Sequence, residues 1–292
     1  MHSMETSRVA VMGGDERDIY LINYLQAQGF EVYAIGFDRI GYQIDGKLLY
    51  SLDTEDIDFK AIILPVVGLN DNGDIPASYT TRKLNFYQET ESIYPLPLVL
   101  TGKSNSELDD YIKNKDGKLI ETIDLDEIAI YNSVPTAEGA VLRAIELSKV
   151  TIHGSKSLVL GLGRCGISLA RLLINMGSEV TVAARRTAHL ARAEEMTAKV
   201  GHINNLQDYI SEFQIIFNTI PDQILTKEII EQINNEAVVV DIASGQGGTD
   251  FDACRKHNIK AILAPGLPGK IAPKTAGEIL GKVYTRLITP YL

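Results

Sequence analysis

Short apolar runs alternate along the chain with segments whose apolar residues recur at helical spacing. The runs of the first half lie at residues 8–12, 31–35, 60–64 and 98–100, and residues 16–28 carry a helical pattern. Runs of this length predict buried parallel strands covered by helices on both faces.

The second half repeats this rhythm with five strand-like runs, which lie at residues 157–161, 179–184, 214–218, 237–241 and 260–264. Strands that alternate with helices in this way are typical of a doubly wound nucleotide-binding domain. The sequence therefore predicts two α/β domains.

A helical pattern at residues 136–150 separates the two halves, and Pro135 and Glu138 suit the start of a helix. We interpret this helix as the bridge between the domains. The predicted divisions are a substrate and catalytic domain at 1–134, a linking helix at 135–153, a cofactor-binding domain at 154–270 and a C-terminal helix at 271–292 that packs back towards the first domain.

Composition narrows the functional classes. A net charge of -10 without a run of Lys or Arg argues against nucleic acid as the main partner. No apolar run is long enough for a membrane span and the N-terminus carries no signal pattern, which favours a cytoplasmic protein. Cys165 and Cys254 do not support a disulfide framework, and the five histidines form no metal-binding spacing, so no metal site is predicted.

Three glycines follow the first strand of the second half in the pattern GxGxxG. Gly161 permits a tight turn, Gly163 admits a pyrophosphate to the backbone, and Gly166 allows the next helix to pack closely on the strand. The sequence therefore predicts a dinucleotide site. Cys165 lies within this loop, where a helix N-terminus can lower a thiol pKa, although packing of a small side chain is the favoured interpretation.

Arginines stand where an NAD-selective site carries an acid. The strand at 179–184 is followed by Arg185, Arg186 and Thr187, and a guanidinium suits a ribose 2'-phosphate. NADP(H) is therefore predicted over NAD(H). The alternative is that one or both arginines are solvated residues at a helix start, Arg186 more than Arg185.

Three loops that follow late strands, at residues 218–221, 241–248 and 264–269, outline a cleft, unless they are ordinary turns. The complete predicted cofactor site consists of Gly161, Leu162, Gly163, Arg164, Cys165, Gly166, Ala184, Arg185, Arg186, Thr187, Thr219, Ile220, Pro221, Ala243, Ser244 and Pro265.

In the first half, glycines and a helix start at residues 13–17 form a possible anion site in which Arg17 suits a carboxylate. Simpler interpretations exist for each candidate: Asp15 and Glu138 as helix-capping carboxylates, and Lys270 and Lys274 as solvated cations. The predicted catalytic residues are Asp15, Arg17, Glu138 and Lys270, and the predicted substrate-binding residues are Gly14, Ser133, Thr136 and Lys274.

The motifs at residues 13–17, 135–139, 161–166, 217–221 and 264–277 together resemble the dipicolinate synthase A subunits of spore-forming bacteria over nearly the whole chain. This resemblance implies the two-domain arrangement of formate/glycerate dehydrogenases, with a flavodoxin-like first domain and an NADP(H)-binding Rossmann domain. It further implies a flavoprotein-like partner, the dipicolinate synthase B subunit, in the cytoplasm of the mother cell.

The implied reaction is oxidation of dihydrodipicolinate, or of 4-hydroxy-tetrahydrodipicolinate, to aromatic dipicolinate. A small dicarboxylate needs paired donors, for which the candidate residues are expected to converge on an interdomain cleft. Asp15 and Glu138 are alternative proton acceptors between which the sequence does not select. A homo-oligomer is expected from the general habit of such enzymes.

Rival functions share this architecture. A 2-hydroxy acid dehydrogenase is disfavoured because residues 241–245 carry no arginine and the last loops carry no histidine. A shikimate-type dehydrogenase is disfavoured because its Lys/Asp pair is not evident at residues 63–68. An NADPH-binding regulatory subunit of a flavoprotein complex stays an alternative from a different class.

Overall fold

A computed structural model of the protein describes residues 7–41, 43–52 and 57–292. They form two compact units. The first comprises the residues up to Ala129 together with Ala272–Leu292, and the second comprises Ile130–Ile271. In the described residues, no helix is long and apolar enough to cross a membrane.

The strands, in chain order, are β1 (Arg8–Met12), β2 (Glu31–Ile35), β3 (Lys47–Leu49), β4 (Phe59–Ile63), β5 (Asp74–Ile75), β6 (Leu84–Asn85), β7 (Leu98–Thr101), β8 (Lys118–Glu121), β9 (Lys156–Leu160), β10 (Glu179–Ala184), β11 (Lys199–His202), β12 (Ile215–Asn218), β13 (Val238–Asp241) and β14 (Lys260–Leu263). The α-helices are α1 (Glu16–Ala27), α2 (Phe86–Glu89), α3 (Ser106–Asn114), α4 (Asp126–Leu147), α5 (Arg164–Asn175), α6 (Thr187–Glu195), α7 (Lys227–Ile230), α8 (Phe251–Lys256), α9 (Leu267–Ile271) and α10 (Pro273–Ile288).

The first unit contains a parallel sheet in the order β3-β2-β1-β4-β7-β8, and β5 pairs with β6 in a separate antiparallel ribbon. Without β3, this is the strand order of flavodoxin-like folds, so β3 is an additional edge strand. The chain reverses direction across the sheet between β1 and β4, and the loop after β1 therefore lies at a position where such folds bind ligands.

The second unit contains a parallel sheet in the order β11-β10-β9-β12-β13-β14. This is the order of dinucleotide-binding Rossmann domains, with the reversal between β9 and β12. The predicted fold class, two doubly wound α/β domains, is confirmed.

The helix between the halves begins earlier than predicted. Helix α4 starts at Asp126, and Pro135 lies inside it as a buried residue rather than at its start. The capping interpretation of Glu138 is therefore wrong, because this exposed residue lies well within the helix.

Two glycines bring α10 close to α1. A Cβ on Gly277 would clash with the backbone oxygen of Arg17, and a Cβ on Gly281 would lie 2.5 Å from the ring of Tyr24. The buried face of α10, which includes Leu280 and Tyr284, belongs to the same hydrophobic core as β1. Helix α10 is thus an integral part of the first unit.

Candidate functional site

The glycine loop of the second unit connects β9 to α5. Gly161 has a φ of +89°, and its N–H donates to the carbonyl of Ala183 at 2.9 Å, which holds the loop against the end of β10. A Cβ on Gly166 would clash with the Gly161 carbonyl, so only glycine allows α5 to approach the turn this closely.

Gly163 is different, because a Cβ there would meet nothing within 4 Å. It occupies the N-cap position of α5, where no side chain satisfies the free N–H groups of the first turn. The glycine at this position is therefore unexplained by packing and suits the close approach of an anion. The geometry of the loop fits a dinucleotide pyrophosphate.

The segment that follows β12 lies against this loop. The Thr219 hydroxyl donates to the carbonyl of Leu160 at 2.8 Å, and a Cβ on Gly161 would lie 2.7 Å from the Thr219 oxygen. Ile220 also contacts the Gly161 position, whereas Pro221 is exposed. The structure thus brings Thr219 and Ile220 to the glycine loop.

A buried carboxylate that sequence reasoning missed organises the next two loops. Asp241, at the end of β13, is 0% exposed. Its Oδ2 accepts from the Asn218 amide at 2.9 Å, from the Gly248 N–H at 2.9 Å and from the Thr249 hydroxyl at 2.6 Å. Its Oδ1 accepts from the Ala243 N–H at 3.0 Å. One side chain therefore fixes the loops after β12 and β13 at the ligand-binding edge of the sheet.

Gly248 shows how closely these two loops pack. A Cβ at this position would clash with the carbonyl oxygens of Asp222 and Ile220. The Gly248 carbonyl in turn accepts hydrogen bonds from the N–H groups of Ile224 and Leu225, both at 3.0 Å. The backbone that carries Asp222 is consequently held on both sides.

The predicted phosphate-binding arginines lie at the end of β10, after the buried Ala184. The Arg185 side chain is 67% exposed, and its Nη2 lies 3.6 Å from Oδ2 of Asp222, which is 70% exposed. Arg186 is the exposed N-cap residue of α6, and Thr187 is the first residue of that helix. Asp222 was not predicted, although its position four residues after β12 is visible in the sequence.

The other predicted cofactor residues differ in exposure. Leu162 and Ala243 are buried, whereas Arg164, Ser244 and Pro265 are exposed. Burial raises the pKa of the Cys165 thiol, which outweighs the lowering effect of Arg164. This direction supports the packing interpretation of Cys165 and opposes an activated thiolate.

In the first unit, Asp15 and Arg17 form a tight pair at the start of α1. Arg17 Nε donates to Asp15 Oδ1 at 2.9 Å and Nη2 donates to Oδ2 at 2.7 Å. Burial acts to raise the pKa of Asp15, but the hydrogen bonds and charge of Arg17 hold it below its usual value. Gly14 precedes this pair with a φ of +106°.

Asp15 is also the N-cap of α1, and its reciprocal partner is Asp18, a second carboxylate that sequence reasoning missed. Oδ1 of Asp15 accepts from the Arg17 N–H at 3.0 Å, while Asp18 Oδ2 accepts from the Asp15 N–H at 2.8 Å. Burial raises the pKa of Asp18 to about 7. Its role in the capping box could have been inferred from its spacing to Asp15.

The remaining candidates lie in different parts of the fold. The Ser133 hydroxyl donates to the carbonyl of Ile130 at 2.6 Å, and the Thr136 hydroxyl donates to the carbonyl of Asn132 at 2.7 Å. A role for these hydroxyls as donors to substrate would require them to turn away from α4. Glu138, Lys270 and Lys274 are exposed, on α4, α9 and α10 respectively. That these residues converge on one substrate stays a prediction.

The described residues contain no group of three His, Cys, Asp or Glu side chains that could hold a metal ion. Both cysteines are free.

Comparison with protein families matches each half of the chain separately. Residues 8–123 match the model of the N-terminal domain of the dipicolinate synthase A subunit. Residues 136–291 match the model of the alanine dehydrogenase/PNT C-terminal domain. The second match agrees with the glycine loop and the strand order described above. The second unit is therefore a nicotinamide-cofactor-binding domain of an oxidoreductase.

Whole-chain relatives agree with the first match. The dipicolinate synthase A subunit of Bacillus subtilis is 38% identical over 285 residues, which span 96% of this chain and 95% of the relative. The crystal structure of the dipicolinate synthase A subunit from Bacillus halodurans has a TM-score of 0.90 at 35% identity and covers 98% of this chain and 99% of its own. That of the A subunit from Bacillus subtilis has a TM-score of 0.90 at 36% identity, with coverages of 99% and 97%.

The predicted family resemblance is confirmed at this level of identity and coverage. Sequence motifs, strand order and whole-chain similarity point to the same assignment: the chain belongs to the family of dipicolinate synthase A subunits.

Proposed function

We propose that this oxidoreductase uses NADP⁺ to oxidise dihydrodipicolinate to dipicolinate. The observation that carries the cofactor choice is the position of Arg185 and Arg186 after β10, where an NAD-selective site has an acid. The substrate assignment rests on membership of the family.

The residues of the second unit fit the cofactor. The N–H groups at the start of α5 would receive the pyrophosphate, and Arg185, with Arg186 and Thr187, would receive the 2'-phosphate. The segment 219–221 and the loops that contain Ala243, Ser244 and Pro265 would border the nicotinamide half. When bound, NADP⁺ supplies an acceptor for one hydrogen together with its electron pair.

The oxidation removes two hydrogens from the dihydropyridine ring, one with its electron pair and one as a proton. If 4-hydroxy-tetrahydrodipicolinate is the form that binds, loss of water must precede this step. Because the product is aromatic, we assign to the protein mainly the tasks of orienting the ring and accepting one proton.

Arg17 is the residue that we propose to bind a substrate carboxylate. Asp15 engages its Nε and Nη2 and thereby fixes the plane of the guanidinium, whose remaining N–H groups can donate to an anion. The lowered pKa of Asp15 makes it a weak base, which favours a positioning role for it. We therefore propose Glu138 rather than Asp15 as the proton acceptor, with Lys270 and Lys274 as further cations near the dicarboxylate.

The relatives are A subunits, which supports a B subunit as the partner of this chain. We propose that the pair acts in the cytoplasm of the mother cell, where the dipicolinate of the spore would be made. A homo-oligomer of this chain is also part of the proposal.

Turnover by the purified chain is the test. Dihydrodipicolinate synthase would generate the substrate in situ, and dipicolinate and NADPH would be followed with NADP⁺ or NAD⁺ as acceptor. We expect product with NADP⁺ well above the background without the chain. Equal rates with NAD⁺ would refute the cofactor choice, and bound NADPH without product, even after addition of the B subunit, would favour a regulatory role.

Arg17→Ala separates substrate binding from cofactor binding. We expect a large loss of kcat/KM, at least tenfold, with the affinity for NADPH unchanged. The exposed Glu16→Gln change in the same helical turn is the matched control and should leave both quantities near those of the wild type.

A further inference from the structure

The contact between Arg185 and Asp222 reaches across the end of the strand that carries the glycine loop. Arg185 follows β10 and Asp222 follows β12, and these strands are separated in the sheet by β9. Two strand spacings amount to about 10 Å, so the two side chains approach each other over the C-terminal edge of β9. This is the edge at which the dinucleotide is proposed to bind.

Contacts with neighbouring loops and strands constrain the backbone that carries Asp222. The Asp222 carbonyl packs against Gly248, and Thr219 anchors the same segment to β9 through its bond to Leu160. Gly248 is itself fixed by its N–H donation to the buried Asp241. The carboxylate of Asp222 is therefore presented to Arg185 from a constrained backbone, while its own side chain stays exposed and able to rotate.

The ion pair is weak enough for a ligand to replace Asp222 as the partner of Arg185. Both side chains are about two-thirds exposed and 3.6 Å apart, and ion pairs of this kind contribute little to stability. A phosphate has a larger charge and more acceptor oxygens than a carboxylate and is the better partner for a guanidinium. An unphosphorylated ribose offers only a hydroxyl, which does not replace a carboxylate as a counter-charge.

We propose that Asp222 is a specificity-determining residue that pairs with Arg185 in the free protein and is displaced by the 2'-phosphate of the cofactor. This proposal rests on the proposed NADP preference and extends it. The carboxylate lowers the affinity for the phosphorylated cofactor by competing with its phosphate for Arg185, and it has little effect on the unphosphorylated one. Asp222 thus sets how strongly the protein discriminates between the two.

Binding titrations of NADPH and NADH, followed by nicotinamide fluorescence in the intact chain, test this without turnover. Asp222→Asn should tighten NADPH binding about fivefold and leave NADH binding within about twofold. Arg185→Ala should weaken NADPH binding tenfold or more and also leave NADH binding little changed. In the double variant Asp222→Asn/Arg185→Ala, the gain from Asp222→Asn should disappear, because the cation for which the carboxylate and the phosphate compete is absent.

Glu179→Gln is the matched control. Glu179 forms an exposed ion pair with Lys199 at 3.3 Å, but it lies at the opposite, N-terminal end of β10. Its neutralisation should change the affinity for neither cofactor by more than about twofold, which would exclude a general effect of net charge.

The outcomes separate the two proposals. If Arg185→Ala weakens NADPH and NADH binding equally, the NADP preference itself is refuted. If Arg185→Ala acts selectively but Asp222→Asn changes nothing, or tightens both cofactors equally, the preference stands and the role of Asp222 is overturned. A gain from Asp222→Asn that persists without Arg185 would also contradict the proposed exchange.

Discussion

The hydroxyl of Thr249 donates a hydrogen bond to the buried carboxylate of Asp241 at 2.6 Å. This bond joins the end of β13 to the close of the loop that follows it, and the same carboxylate oxygen accepts from Asn218 after β12. The loop after β13 and the segment after β12, which contacts the glycine loop, thus share one buried acceptor.

We expect Asp241→Ala to lower the free energy of unfolding by roughly 3 kcal/mol, because it leaves buried N–H and O–H donors without an acceptor. It should also weaken NADPH binding, since Asn218, which precedes the segment 219–221, loses its bond to Asp241. Urea unfolding and fluorescence titration measure these effects. Asp252→Asn, which alters an exposed ion pair of α8, should change neither, and an equally stable Asp241→Ala variant would contradict the role given to Asp241.

Gly163→Ala should change the affinity for NADPH without changing the stability of the fold. Its backbone has a φ of -81°, which alanine adopts readily, and an added methyl group meets no protein atom. Stability should therefore be unchanged, whereas NADPH affinity should fall at least tenfold if a pyrophosphate approaches this position.

Gly166→Ala is the companion variant, because its added methyl group would clash with the Gly161 carbonyl. It should lose stability, by about 1–3 kcal/mol, as well as cofactor affinity. Thermal unfolding of the two variants, with and without NADPH, makes the comparison. Wild-type NADPH binding by Gly163→Ala would place the pyrophosphate elsewhere.

Asp15→Ala removes a helix cap and the partner of Arg17 together, and should cost about 1–2 kcal/mol of stability at pH 7. The pKa of Asp15 is lowered in the folded state, so its contribution is present above the unfolded value of 3.8 and is lost as the pH falls below it. The difference between wild type and variant should accordingly shrink below about pH 4. A difference that is constant from pH 3 to pH 7 would contradict this assignment.

The contribution of Asp18 to stability depends on pH in the opposite direction. Burial raises its pKa to about 7, so the folded state holds this proton more tightly than the unfolded chain does. Its stabilising contribution is complete below the unfolded pKa of 3.8 and is lost as the pH rises to about 7. Asp18→Asn should therefore gain stability relative to the wild type between pH 4 and pH 7, in urea unfolding at a series of pH values. A relative stability that does not depend on pH would refute the raised pKa.

The sequence predicts the central strands well, because a strand buried on both faces is a short run of apolar residues. The missed parallel strands are β3, β8 and β11, which lie at sheet edges and carry exposed residues such as Lys47, Lys118 and Lys199. Half-exposed strands of three or four residues have no continuous apolar run, so their pairing partners, rather than their own pattern, define them.

The start of α4 was predicted too late for a different reason, which is the presence of Pro135. Proline disfavours a helix interior locally, but α4 continues through it while Ala137 and Ala140 pack into the core of the second unit. Tertiary packing of these small residues outweighs the local cost. The general position of the helix was predicted, but its first residue was not.

The glycine loop could be predicted because its chemistry is local, with three residues at fixed spacing between a strand and a helix. The roles of Asp241 and Asp222 could not, because each depends on a partner from a distant part of the chain. Asn218 precedes Asp241 by 23 residues, and Arg185 lies on a different strand end from Asp222. In the sequence, Asp241 appears only as the last residue of a strand-like run and Asp222 only as a loop residue.

The packing of α10 on α1 bears on the order in which the chain folds during synthesis. Leu280, Val283 and Tyr284 complete the core that begins with β1, yet they are translated only after all the strands of both sheets. A nascent chain released up to Ile271 already contains every strand of the second sheet. The first unit, although most of it is translated first, therefore cannot complete its core until α10 has been made. The second unit, which binds the cofactor, can reach its native packing before that.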